Sequence, residues 1–543
     1  MSLSTIEYFN SSNVIVSYSP FEKGGGEAGG FLIHQRGIFN YLYPMQVILP
    51  VIYTVLLILL ICRMKFFSIS GLSRKAIVSV FVLKIFAGIM MLLIFTRYYQ
   101  NSDSLAFYND SKIIYDVLWQ NPAHFFKMLT GIGSSDPVLD IYYSKMHVWN
   151  ASFEKLLFND ARSIVRLNVL FRFFSFGNFY VHTVFMCFLS LIGLTALYKT
   201  FIKYFFERKR ILFLIIFLLP SVLFWSSGVL KEGLLFFGMG LLLYATDCGF
   251  AHTYSFKKII LVFLSMSILL FVKVYVLIAL APGLIANRWI GRGETKFVFL
   301  KYCSVYLCCF LFLVALSFVK PQYNAVKIIA NKEQKSAAFA KGGVFLLSTD
   351  YFVRVDFDRK DEILLPLKKE NQFKIKPNSS YEAWKINNLE DTLRIKNSTD
   401  TAVYKLMYSI PSSNSMIAPL NLEPAFFSLL KNVPLAFFNT LTQPLDLFTT
   451  DWLKLCSSLE NIFYLVFILL GLICFKFPKE NTAVVFFCFS VFVFVFVLAG
   501  LTTPIVGALV RYKTPVLPFM MIFLFLLTDN DKWKKIPLIG KLI

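Results

Sequence analysis

Apolar stretches of membrane-crossing length recur along this chain, and they constrain its fold more than any other feature. About 18 or more consecutive apolar residues cross the roughly 30 Å of a bilayer's hydrocarbon as one helix. The stretch YLYPMQVILPVIYTVLLILLIC (41–62) is an example. Only 16% of the residues are charged and 57% are hydrophobic, whereas soluble domains carry about 25% charged residues. The chain reads as an all-α polytopic membrane protein with about ten transmembrane helices. Spans are expected at 41–62, 76–95, 178–198, 297–318, 462–475, 484–500 and 515–527. Two further runs are too long for one crossing. Residues 211–251 must hold two helices with a turn near Gly228 to Gly233, and 258–290 a hairpin that turns near Lys273.

The sides follow from the basic residues of the short connections, which favour the cytoplasm. With 63–75 placed inside, the inside connections hold twenty Lys and Arg: four in 63–75, five in 199–210, two in 257–258, three in 288–296, two in 476–479 and four in 532–541. The short outside turns hold four, namely Lys231, Lys273, Arg511 and Lys513. The net charge of +22 is therefore read as this bias, and no nucleic-acid partner is expected.

This topology divides the chain into an N-terminal extracytoplasmic segment (1–40), two transmembrane helices (41–96) and a first large extracytoplasmic loop with amphipathic helices (97–177). Transmembrane helices three to eight follow (178–319), then a small extracytoplasmic β-rich domain (320–422) and interfacial amphipathic helices (423–461). The last transmembrane helices (462–528) lead to a cytoplasmic tail (529–543). The β-rich reading rests on period-two alternation in GVFLLS, YFVRVDF, EILLPL, QFKIK, TLRIKN and TAVYKLMYSI. The N-terminus lacks the basic start and apolar core of a signal peptide. The nine cysteines form no CxxC pair near histidines, so no metal site is expected from them.

Chemistry is expected where charges meet the outer edge of the spans. RYYQNSDSLAFYNDSK brings Arg97, Asp103 and Asp110 there, the two aspartates on one helical face. A carboxylate at the boundary can act as general base toward a hydroxyl, or hold a divalent cation beside a phosphate. FWSSGVLKEG places Lys231 and Glu232 inside an apolar run, where each must sit at a turn, pair, or face water. Trp225 can anchor the interface or stack on a sugar. Lys273 stands in LLFVKVYVLIALAP, and GALVRYKTPVLP carries Arg511, Tyr512 and Lys513 among prolines. Arginine binds phosphate through two parallel bonds and lysine adds a point charge. Such cations near a lipid headgroup suit a phosphate or pyrophosphate attached to a lipid. An ordinary hairpin tip or interfacial turn is the plainer reading of each.

These segments together resemble polytopic bacterial surface-polysaccharide proteins. The likeness lies in YYQNSDSLAFYNDSK, in LPSVLFWSSGVLKEG, in the proline-rich segment ending SLEN and in GALVRYKTPVLP. It is similar to that of GT-C-type glycosyltransferases and O-antigen polymerase-like enzymes, which act on polyprenyl-linked donors at the outer face. The resemblance implies a bacterial inner-membrane glycosyltransferase or glycan polymerase using a polyprenyl-phosphate-linked sugar. In it Asp103 is the base and Arg511 with Lys231 holds the lipid phosphate, with Glu232 as their partner or itself the base. Two other classes remain open. One is a transporter or flippase of a lipid-linked anion, and the other a non-catalytic subunit that docks cell-envelope protein partners.

Overall fold

The computed structural model describes residues 44–69, 71–99, 102–149, 160–251, 255–291, 296–319, 323–348, 351–367, 372–385, 392–395, 402–410, 412–413, 415–478 and 480–535. The N-terminal segment 1–40 and the end of the tail lie outside them, as do Arg292, Lys479 and Lys541 of the basic connections. Among the described residues, eight helices are long and apolar enough to cross a membrane. Two other stretches expected to cross are shorter. Residues 209–225 are broken into short helices around a π turn, Leu214–Leu218, and the following helix has 16 residues.

The chain opens with α1 (Pro44–Arg63) and α2 (Arg74–Leu93). The first large loop then folds into the expected helices, α3 (Asp103–Gln120), α4 (Pro122–Thr130) and α5 (Asp160–Ser175). Helix α6 (Phe179–Phe201) starts on an Asn178 cap. Helices α7 (Pro220–Trp225) and α8 (Lys231–Thr246) are separated by the turn 226–230, so the long run does break where glycine and serine interrupt it. The pair α6 and α8 forms the centre. A methyl group on Gly240 of α8 would lie 1.9 Å from the Gly193 carbonyl oxygen of α6, so the two backbones touch. Backbone cannot yield as a flexible side chain does. Gly240→Ala is expected to destabilise the protein by about 1–3 kcal/mol, read as a lower melting temperature in detergent; an unchanged melting temperature would show that the two helices can separate.

Helix α9 (Phe256–Ile290) has 35 residues and is broken at Lys273, whose backbone is extended (φ −155°, ψ 81°). Both of its ends lie by the C-terminal end of α8. Phe256 follows Ala251 by five residues, and Asn287 donates to the Cys248 carbonyl at 2.8 Å. Its middle lies further along α8, where Ile268 packs on Gly238. The chain therefore doubles back at Lys273, as expected of a 33-residue apolar run that straight would be about 50 Å long.

Helices α10 (Val298–Val319) and α11 (Ala325–Lys341) lead to seven antiparallel strands. They are β1 (Gly343–Leu347), β2 (Tyr351–Val355), β3 (Leu364–Pro366), β4 (Gln372–Ile375), β5 (Tyr381–Lys385), β6 (Thr392–Ile395) and β7 (Tyr404–Ile410). The sheet order is β3-β4-β7-β1-β2-β5-β6. The alternating runs match every strand except β5 (YEAWK), in which charges obscure the pattern.

Helix α12 (Phe426–Thr442) is the expected amphipathic helix. Beyond it the expectation and the structure differ. Residues 452–461 are the first turns of α13 (Trp452–Ile473), capped by Asp451, and not a separate surface helix. Nothing from 452 to 470 breaks a helix, and its two charges find partners: Lys454 reaches Asp446 at 2.6 Å, and Glu460 accepts from Ser221. After α14 (Thr482–Thr502) the chain enters α15 (Val506–Lys513), a short 3-10 turn and α16 (Leu517–Leu526). Arg511 thus sits on a helix, where the prolines had suggested irregular backbone.

The described basic connections gather at one end of this bundle. Arg208 donates to the carbonyls of Phe525 and Thr528 at 2.8 and 3.1 Å. Lys203 pairs with Asp247, Lys476 with Asp529 at 3.1 Å, and Arg74 with the Cys62 carbonyl. The opposite end holds Asp103, Glu232 and Arg511.

Candidate functional site

Three chain segments meet at that opposite end. Ser102 caps α3, its hydroxyl accepting from the Leu105 amide, which puts Asp103 in the first helical turn. Glu232 stands in the first turn of α8, immediately after the 226–230 turn. Arg511 is in the last turn of α15. The Arg511 guanidinium donates from Nε to Glu232 Oε1 at 2.7 Å and from Nη2 to Oε2 at 3.2 Å. Its Nη1 donates to Asp103 Oδ2 at 2.8 Å. One arginine therefore holds two carboxylates that are 129 residues apart in sequence (232 − 103).

The exposures of the three differ. Glu232 is 2% exposed at its side chain, Arg511 15% and Asp103 39%. Both Glu232 oxygens are taken by the guanidinium, whereas only Oδ2 of Asp103 bonds to it. Guanidinium has five N–H donors, of which these bonds use three. Asp103 is thus the carboxylate that an external hydroxyl can approach, and Arg511 the cation with donors left to offer.

Trp225 lies against the trio, and two lysines sit over aromatic rings nearby in the chain. The Arg511 guanidinium carbon lies 5.8 Å from the Trp225 ring centre. Lys231 Nζ is 5.6 Å from the Phe107 ring, one turn along α3 from Asp103. Lys273, at the reversal of α9, is 4.5 Å from the ring of Tyr512 and 5.7 Å from that of Tyr275. Such placements stabilise a cation by roughly 0.5–2 kcal/mol and hold it over the ring face.

Two candidates point elsewhere. Asp110 lies on the Asp103 face of α3 but is fully buried, and accepts from the amides of His147 and Val148 at 2.8 Å each. Burial pushes its pKa up from the usual carboxylate value, and those bonds pull against the rise. It closes the first loop. Asp110→Ala is expected to lose about 1–3 kcal/mol per orphaned amide and to speed proteolysis of the loop; cleavage at the wild-type rate would refute that role. Lys513 is buried, and donates to the carbonyls of Thr440 and Gln443 at 3.1 and 2.8 Å and to Asn461 Oδ1 at 2.7 Å. It ties α15 to α12 and α13. Arg97 is exposed at the end of the second span, six residues before Asp103.

Two polar residues of the region went unmarked in the sequence. Lys84 lies within α2, fully buried, and reaches the 226–230 turn. A lysine eleven residues into an apolar helix is itself the signal, because charges inside a span are rare and functional. Glu460 of SLEN accepts from the Ser221 amide at 2.9 Å and from the Tyr464 hydroxyl.

Other constellations lack access. Ser175 Oγ contacts His182 Nε2 at 2.8 Å, and His182 Nδ1 contacts Asn168 Oδ1 at 2.6 Å. The atoms follow the order of a nucleophile relay, yet all three residues are 0% exposed, so no substrate reaches the serine. A cavity of about 360 Å³, lined by Thr246, Gly249, Leu284, Ile285, Arg288 and Trp289, lies at the far end of α8 and shares no residue with the trio. Among the described residues, no three His, Cys, Asp or Glu side chains group as a metal site. Between Asp103 and Glu232 the counter-ion is Arg511 itself.

No protein-family model matches the chain, and no curated protein or solved structure matches it either.

Proposed function

We propose that the protein is an integral-membrane glycosyltransferase or glycan polymerase that draws its sugar from a polyprenyl-phosphate carrier, with Asp103, Arg511 and Glu232 as its centre. One observation carries this reading. An accessible carboxylate and a half-buried arginine with N–H donors left over meet at the end of the bundle away from the basic connections. The bias of those connections supports placing the centre at the outer face of a bacterial inner membrane.

In the reaction the acceptor hydroxyl attacks the anomeric carbon while Asp103 takes its proton. The bond between that carbon and the phosphate oxygen breaks, and the phosphate leaves with the electron pair. Arg511 receives the growing negative charge, and Lys231 and Lys273 are the further cations available to a bound phosphate. Glu232 has both oxygens engaged and fixes the guanidinium plane. A single displacement of this kind inverts the anomeric configuration.

The test is incubation of the reconstituted protein with labelled polyprenyl-phosphate sugars and an acceptor glycan. Transfer with inversion that disappears in Asp103→Asn supports the reading. Absence of transfer from every mono- and diphosphate donor tried, with no binding of the carrier, would remove it in favour of a docking subunit.

A further inference from the structure

The turn that carries Trp225 and Glu232 is held from inside the bundle. Helix α7 ends at Trp225, and the Ser226 and Ser227 carbonyls stand where no helix continues to receive them. A backbone carbonyl left without a donor in the membrane costs several kcal/mol. Lys84 of α2 supplies the donors. Its Nζ lies 3.3 Å from the Ser226 carbonyl oxygen, 2.6 Å from Ser226 Oγ and 3.2 Å from Ser227 Oγ. An ammonium has three N–H donors, and three acceptors meet it. Both serine hydroxyls spend their own protons on the Val222 and Leu223 carbonyls, at 2.5 Å each, so they turn lone pairs toward the lysine. The remaining carbonyl, that of Ser227, accepts from the Cys187 thiol of α6 at 3.2 Å.

Packing fixes the same contact. Gly88, one turn beyond Lys84 on the same face of α2, lies so close to the turn that a methyl group there would meet the Ser227 carbonyl oxygen at 2.5 Å. The turn cannot slide along α2 without losing the ammonium or striking this backbone. Its two ends then have fixed positions. Trp225 lies under the Arg511 guanidinium, and Glu232 bonds to it.

We infer that Lys84 is a positioning residue of the candidate centre: its buried ammonium pins the 226–230 turn so that Trp225 and Glu232 face Arg511 together. The inference rests on the proposed reading in taking that cluster as the centre, but its structural part stands on the geometry alone. Lys84 touches no substrate in this arrangement. It acts through the turn.

The experiment uses the full chain in detergent with 5-fluorotryptophan, which gives one fluorine resonance for each of the seven tryptophans. The Trp225 resonance is assigned by its loss in Trp225→Phe. In Lys84→Met the Trp225 resonance is expected to move while the other six stay. Binding of a polyprenyl monophosphate is expected to weaken about tenfold, the scale of one lost charged hydrogen bond. A folded Lys84→Met protein with Trp225 unmoved overturns the inference. Should Lys84→Met not fold, Ser226→Ala, which removes the nearest acceptor, is read in the same way, and a folded Ser226→Ala protein with Trp225 unmoved also overturns it. If Trp225 moves but wild type binds no polyprenyl phosphate, the glycan reading fails and the positioning role stands.

Discussion

Arg511→Ala is expected to destabilise the protein by about 3–5 kcal/mol, the usual result of removing one partner from a buried ion pair. The cause is Glu232. Its side chain is 2% exposed and both of its oxygens bond to Arg511, so the substitution strands a carboxylate inside the bundle. Asp103 adds less, because at 39% exposure water can replace the guanidinium. Arg511→Lys keeps the charge but not the fork, and cannot reach both carboxylates in the same geometry. It is expected to fall between wild type and alanine. The pair variant Arg511→Met with Glu232→Leu removes both charges and is expected to recover most of the stability, since replacing a buried pair by apolar groups is often neutral. It is not expected to recover binding of a polyprenyl phosphate. Thermal unfolding in detergent, with carrier binding measured on the same samples, separates the two effects. If Arg511→Ala melts like wild type, Glu232 has another partner and the cluster is not the unit described.

The second large effect is on turnover. On the proposed reading, Asp103→Asn is expected to leave the melting temperature nearly unchanged and to lower glycan transfer about 10²- to 10⁴-fold, the range for loss of a positioned base. Asparagine can still accept from Arg511 Nη1, so the contact survives while the proton acceptor does not. Glu232→Gln should behave in the opposite sense, losing stability while retaining more of the activity. Steady-state rates of the two variants decide the assignment. Transfer that survives Asp103→Asn but vanishes in folded Glu232→Gln would make Glu232 the base, against the full engagement of its oxygens.

The physical reasons why some of this was legible and some was not are local. The apolar runs declared the membrane helices, because hydrocarbon leaves a chain few ways to satisfy its backbone. The break at Lys273 followed from length alone. Charges at span ends marked Asp103, Glu232 and Arg511 as candidates. Their pairing was hidden, because Arg511 lies 279 residues from Glu232 and 408 from Asp103, and no local rule reaches so far. Lys513 misled for a simpler reason. Once 506–513 is helical, residues two apart point about 200° away from each other, so Lys513 must turn from the face Arg511 uses. Asp110 shared a face with Asp103, but which way its carboxylate turned depended on the amides of His147 and Val148. Residues 452–461 resembled part of a surface helix because they continue the Leu-, Phe- and Trp-rich stretch with few charges that begins at 423, and only the fold shows them continuous with α13. Lys84 was there to be seen, and only its partner in the 226–230 turn required the fold.

The long separation within the ion cluster bears on how the protein is made. Membrane helices are inserted as the chain emerges, N-terminal segments first. Asp103 and Glu232 are synthesised hundreds of residues ahead of the arginine that neutralises them. Until α15 arrives, Glu232 has no guanidinium beside it, and α8 carries an acid at the membrane boundary. Docking of α15 is the step that pairs this early carboxylate, after α8 has already packed on α6. A chain cut short before Arg511 therefore lacks the one guanidinium that holds both Glu232 oxygens.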